Sequence, residues 1–191
     1  WQTGSGARSE MDISDEVLGK LIRAFRSLGQ FQKRVHPNDD VNMGQSSNDV
    51  FPSAMHIAVA NQTTRELLPA LMLLRSELAA KATEFASIVK IGRTHLQDAT
   101  PVRLGQEFGA YEAQLQLCEQ QIRQTLQAVH TLAIGGTAVG TGLNTHPEFG
   151  SRVAAMLSEQ LDMPLRQADN LFAAMAGHEA LVALHAGLRM L

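Results

Sequence analysis

The sequence is poor in the residues that would mark several large function classes. Its 191 residues include one cysteine, Cys118. A lone cysteine excludes an intrachain disulfide framework and any cysteine cluster for zinc or iron–sulfur, and it is compatible with a reducing compartment. The formal net charge is −3, and charged residues make up 18% of the chain. With no basic excess, there is no broad cationic face for nucleic acid, and no nucleic-acid partner is expected. No uninterrupted apolar run approaches the roughly 20 residues a membrane helix needs, and no secretory signal pattern is present. The expectation is a soluble cytoplasmic protein with no membrane partner, a mitochondrial location staying open.

Chemistry-bearing patterns are also missing. The seven histidines form no HExxH pair or other metal spacing, so no metal is expected. The glycine-rich stretch AIGGTAVGTGLNTHPEFG lacks the lysine and spacing of a phosphate loop. Ser5, Ser46 and Ser47 lack the context of a nucleophile elbow. Strand–helix alternation is absent, which predicts an all-α fold with extended connections.

What is present is helical periodicity interrupted by polar loops. Apolar positions from Ile13 to Leu28 predict a first helix, with Asp12 or Ser14 as its cap. A turn-rich linker containing His36, Pro37, Asn38, Asp39 and Asp40 ends at Gly44. In QSSNDVFP, Ser46, Ser47, Asn48 and Asp49 are all capping residues, and an apolar run from Phe51 and Met55 follows. The same residues admit two readings: a helix cap, or an anion cradle of helix amides, hydroxyls and a carboxamide. A further helix is predicted from Glu66 to about Phe85, with Pro69 in its first turn or kinking a longer helix. The longest apolar series, Leu104 to Leu132, predicts about eight helical turns that need partner helices. Shorter helices are predicted from Pro147 to about Leu161 and, capped by Asn170, from Leu171 onward.

Between these helices lies Lys90 to Pro101, KIGRTHLQDATP, which gathers a base, a hydroxyl, an amide and a carboxylate. Read as a helix-to-helix connection, it presents Thr94 and His95 to a cleft. His95 is the one proton handler among several loops rich in Ser, Thr, Asn and Gly, a set suited to holding a small anion and stabilising developing negative charge. Trp1 opens on a glycine-rich polar segment, and residues 185–191 stop inside an apolar run, so both ends read as cut.

The segments WQTGSG, HPNDDVN, GQSSND, KIGRTHLQDATP and GGTAVGTGLNTHPE, in this order, resemble the class II fumarases of the fumarase/aspartase superfamily. The resemblance covers nearly the whole chain. His36, Asp40 and His95 stand where the related aspartases have other residues, which favours the fumarase side.

The resemblance implies an all-α, long-helix bundle of the fumarase/aspartase type with extended glycine-rich connections. Residues 1–47 would be the remnant of an N-terminal domain carrying substrate loops, and 48–191 part of the central bundle. It implies a homotetramer whose active sites are shared between protomers. It also implies reversible hydration of fumarate, a small dicarboxylate, to L-malate, with no cofactor. By similarity Ser5, Ser46, Ser47, Asn48 and Thr94 bind substrate, Thr94 and His95 are catalytic with His95 activating or positioning water, and His36, Asn38 and Asp39 form a secondary dicarboxylate site.

Chemically, proton removal beside a carboxylate places nearly two negative charges on one group, so donors must be ready where that charge accumulates. The family's mobile GSSxMPxKxNP loop, which carries the base and a lysine, is absent from this sequence, so the chain as it stands is expected to be catalytically incomplete. Ala7 stands where the family has a hydroxyl and Glu10 where it has an asparagine, so weakened substrate binding is expected, with Arg8 partly offsetting Glu10. A non-catalytic helical assembly module, or a lyase for another dicarboxylate such as aspartate, is the alternative expectation.

Overall fold

The computed structural model describes residues 43–191. The expected first helix, Ile13 to Leu28, lies outside them. The described chain is predominantly α-helical and divides into two compact units. One comprises residues 43–58 and His130–His178, the other Val59–Val129 and Glu179–Leu191.

Helix α1, Ser47–Gln62, passes through a π turn, Thr63–Leu67, directly into α2, Leu68–Glu84. A longer helix with a π turn ahead of Pro69 is therefore the form adopted, in place of a helix starting at Glu66. Pro69 explains the π turn. Its ring would collide with the carbonyl four residues back, and it has no N–H to donate. The backbone widens just ahead of it, so that the Leu68 N–H reaches the Thr63 carbonyl, five residues back.

In the second unit α2 packs on α3, Leu104–Val129, with the chain returning in the opposite direction. Ile122, Leu126 and Val129 are buried along α3, and α6, Glu179–Leu188, lies against the same helix. Phe85 meets Phe108 edge to face, with ring centroids 5.1 Å apart. Arg75 on α2 reaches both Glu112 and Glu119 on α3, and Glu119 is also held by Arg123. The Arg75 guanidinium holds the Glu119 carboxyl below its ordinary 4.5 against the opposing effect of burial. A depressed folded pKa means that this stabilisation is complete above the unfolded value and is lost as pH falls through the folded one. Thermal melts at pH 7 and pH 3.5 should therefore show a larger drop for the unaltered chain than for Glu119→Gln. Equal drops would remove Glu119 as a source of acid sensitivity.

The expectation of no strands fails here. Lys90 to Pro101 does connect two helices, and it forms most of an antiparallel hairpin of β1, Val89–Thr94, and β2, Gln97–Arg103. β-Branched Val89, Ile91, Thr94, Thr100 and Val102 favour extended backbone. The register slips between Ile91 and Arg93, around Gly92. A Cβ at Gly92 would stand 2.7 Å from the Thr100 carbonyl oxygen, so the bulge needs glycine. Both strands are largely solvent-exposed on both faces, which leaves no apolar–polar alternation to read.

The first unit is built on the glycine-rich stretch. β3, Thr131–Leu132, pairs in parallel with β4, Arg166–Gln167, so α3 ends at Val129, short of the predicted Leu132. Helix α4, Phe149–Leu161, stops where Asp162 turns left-handed at φ +50°. Asn170 does cap a helix, its side chain accepting the Ala173 N–H at 3.0 Å. That helix, α5, runs only from Leu171 to Ala176. Gly177, extended at φ −106° and ψ 156°, interrupts what the periodicity predicts as one continuous helix.

Candidate anion site in the first unit

Ser46 is the N-cap of α1. Its carbonyl accepts the Val50 N–H at 3.0 Å, and its Oγ accepts the Asn48 N–H at 3.2 Å. Asp49 Oδ1 reaches back to accept the Ser46 N–H at 3.1 Å, closing a reciprocal capping box with Asp in the usual Glu position. The cap reading of QSSND is therefore correct for Ser46 and Asp49.

Asp49 does more than cap. Its side chain is fully buried, and Oδ2 accepts the Gly135 and Thr137 N–H groups, both at 2.9 Å. Asn48 adds a second tie, Nδ2 donating to the Ala138 carbonyl at 2.7 Å. One carboxylate and one carboxamide thus clamp the start of α1 to the glycine-rich loop. Burial pushes the Asp49 carboxyl upward, while the amides of Thr137, Ser46 and Gly135 draw it back down. The loop is strained where it is held. Thr137 is a buried β-branched residue at φ +56°, a conformation that costs about 1–3 kcal/mol and persists only when neighbours impose it.

Beside this clamp lies a cavity of about 480 Å³. Ser47 and Asn48 form its polar wall, Phe51, Met55, Phe172 and Met175 much of its apolar wall, and His178 also lines it. Hydroxyl and carboxamide donors at a helix start suit a carboxylate, and the apolar walls suit a short carbon chain. Among the described residues no group of three or more His, Cys, Asp or Glu could hold a metal ion.

The other expected site residues are placed differently. Thr94 and His95 belong to the second unit, at the tip of the β1–β2 hairpin, where Thr94 pairs with Gln97 across a two-residue loop. His95 and Leu96 take φ +49° and +60°, both in the left-handed region that such a loop requires. Neither is the Asn or Gly that adopts it cheaply. Leu96 is 97% exposed. Ser5, Ala7, Arg8, Glu10, His36, Asn38, Asp39 and Asp40 lie outside the described residues. Sequence reasoning missed the reach of Asp49 to the glycine loop and the presence of His178 at the cavity. The signals available were the Ser46-x-x-Asp49 spacing and Gly177 inside an apolar run.

The model of the lyase family matches residues 1–191. The class II fumarate hydratase of Chromobacterium violaceum is 57% identical over 194 residues, covering 100% of this chain and 41% of that protein. That of Staphylococcus aureus is 48% identical over 191 residues, again covering 100% and 41%. The crystal structure of the class II fumarase from Schistosoma mansoni superposes with a TM-score of 0.91 at 39% identity, over 100% of this chain and 43% of that one. A fumarate lyase:delta crystallin from Brucella melitensis gives 0.81 at 34%, over 99% and 42%. The chain thus spans about two-fifths of the length of these relatives and shares their largely α-helical bundle fold. Matched by one family model from its first residue to its last, the chain belongs to the lyase family.

Proposed function

We propose that this chain is part of a fumarase-type lyase that hydrates fumarate reversibly to L-malate. The observation that carries the reading is the clamped α1 start, with Ser46, Ser47 and Asn48 gathered at one helix N-terminus and Ser47 and Asn48 beside an apolar-walled cavity. In this reading Ser46, Ser47 and Asn48 bind a substrate carboxylate together with Ser5 and Thr94. His95 activates or positions the water, and His36, Asn38 and Asp39 hold a secondary dicarboxylate. Hydration needs a stabilised aci-carboxylate, and neutral donors fixed before substrate arrives supply that without reorganisation.

The working enzyme would be a cytoplasmic homotetramer with sites shared between protomers. In support, Met72, Leu73 and Leu74 on α2 and Leu117 on α3 are exposed apolar side chains of the second unit. The same reading takes residues 1–47 as belonging to an N-terminal domain and 48–191 to the central bundle.

Thermal shift with fumarate, L-malate, succinate and aspartate tests this. A ligand at one hundred times its Kd stabilises by about 2.7 kcal/mol. Fumarate and malate are expected to raise the melting temperature, aspartate is not, and Ala7→Thr should increase the fumarate shift. Absence of any shift would overturn the site, and a shift with aspartate alone would redirect the reading to an ammonia-lyase.

A further inference from the structure

We infer that the outer half of the β1–β2 hairpin, residues 93–98, opens and closes independently of its base, so that Thr94 and His95 ride on a locally unstable tip. The base is well held. The Leu104 N–H donates to the Ile88 carbonyl at 2.9 Å, and the Gly105 N–H to the Phe85 carbonyl at 3.1 Å. The Arg103 N–H donates to Gln106 Oε1 at 2.9 Å, and Lys90 Nζ reaches both carboxylate oxygens of Glu107, at 2.7 and 2.9 Å. These contacts fasten the hairpin to the end of α2 and the start of α3, and none of them reaches past Lys90 or Arg103.

Above the base the ladder is interrupted. Pro101 stands opposite Ile91 and has no N–H to donate. The register then slips around Gly92, and two pairs remain beyond it, Arg93 with Asp98 and Thr94 with Gln97. Little else holds them. Both strands are exposed on both faces there, and a two-stranded hairpin without a covered face is marginal in water. The Arg93–Asp98 ion pair, 3.5 Å long with side chains 70% and 71% exposed, is of the kind that contributes little. The turn itself is unfavourable, because His95 and Leu96 both carry side chains in the left-handed region. Leu96 is almost fully exposed, so no packing within the described chain offsets that cost. Few buried contacts, an interrupted ladder and a strained turn place residues 93–98 among the segments that open most readily. The consequence is functional. Whatever Thr94 and His95 meet must select the closed tip, and its apparent affinity falls with the fraction of chains in which the tip is closed.

Amide hydrogen exchange by NMR on the 191-residue chain tests this, with the Leu104 amide reporting on the base. Relative to unfolded-chain rates, the best-protected amide of residues 93–98 should exchange about a hundredfold faster than Leu104, or more. Leu96→Gly removes left-handed strain without loss of packing, and should slow exchange at the tip about fivefold while leaving Leu104 unchanged. Leu96→Ala keeps the strain and should leave both rates as they are. Equal protection of tip and base, high or low, would overturn the inference, and so would a tip that ignores Leu96→Gly. These rates do not depend on which ligand the chain binds, so failure here leaves the fumarase-type reading standing.

Discussion

Asp49→Ala is expected to melt about 6–12 °C below the unaltered chain and to lose dicarboxylate binding. The size follows from what the carboxylate holds. The Gly135 and Thr137 N–H groups are buried and both end on Oδ2 at 2.9 Å. Each would be left without its acceptor, at about 1–3 kcal/mol apiece. Loss of the bond to the Ser46 N–H opens the capping box, worth about 1 kcal/mol more. A total of about 3 kcal/mol or more corresponds to that fall in melting temperature for a chain of this length. Binding fails for a geometric reason. Without Asp49 the Thr137 N–H loses the acceptor that offsets its strained φ of +56°, and Ala138, whose carbonyl orients Asn48, moves with it. Asp49→Asn keeps the shape but turns one acceptor into a donor facing an N–H, so an intermediate loss is expected. A melting temperature within about 1 °C of the unaltered chain, with succinate binding intact, would show that the clamp holds neither loop nor site.

Much of this architecture was legible because it is periodic. The α2, α3 and α4 runs announce themselves through apolar residues three and four apart, and Asn170 as a cap is visible from its side chain alone. What escaped was decided by contacts distant in sequence or by the backbone. The hairpin carrying Thr94 and His95 is exposed on both faces, so period two never appears, and its turn is made by His-Leu rather than Asn-Gly. The π turn was half legible, since Pro69 signals a disturbance but not whether the helix starts there or widens before it. Asp49 was read as a local cap, and its second oxygen found partners 86 and 88 residues away. No local pattern encodes that reach. His178 was hidden by the strength of the surrounding helical signal, with Gly177 the single residue that argued against continuity.

The same clamp can be attacked from its other side, with Gly135→Val. Gly135 sits at φ +93°, where side chains are rarely tolerated. A Cβ there would stand 2.6 Å from the Gln167 amide nitrogen and 2.8 Å from the Gly150 Cα. Gln167 is a side chain, but its amide is engaged with the Ile134 carbonyl at 3.0 Å, and the Gly150 backbone belongs to the first turn of α4. The loop must therefore move off α4, and its N–H leaves Asp49. Backbone strain, a steric clash and a broken buried hydrogen bond act on one residue and are not additive, so a loss of about 3 kcal/mol or more is expected. The double variant Asp49→Ala with Gly135→Val separates mechanisms. If both act through one clamp, the double variant should be little worse than the worse single one. Full additivity of the two losses would mean that Gly135 matters for packing on α4 alone, and that the helix start and the glycine loop are held together by something other than Asp49.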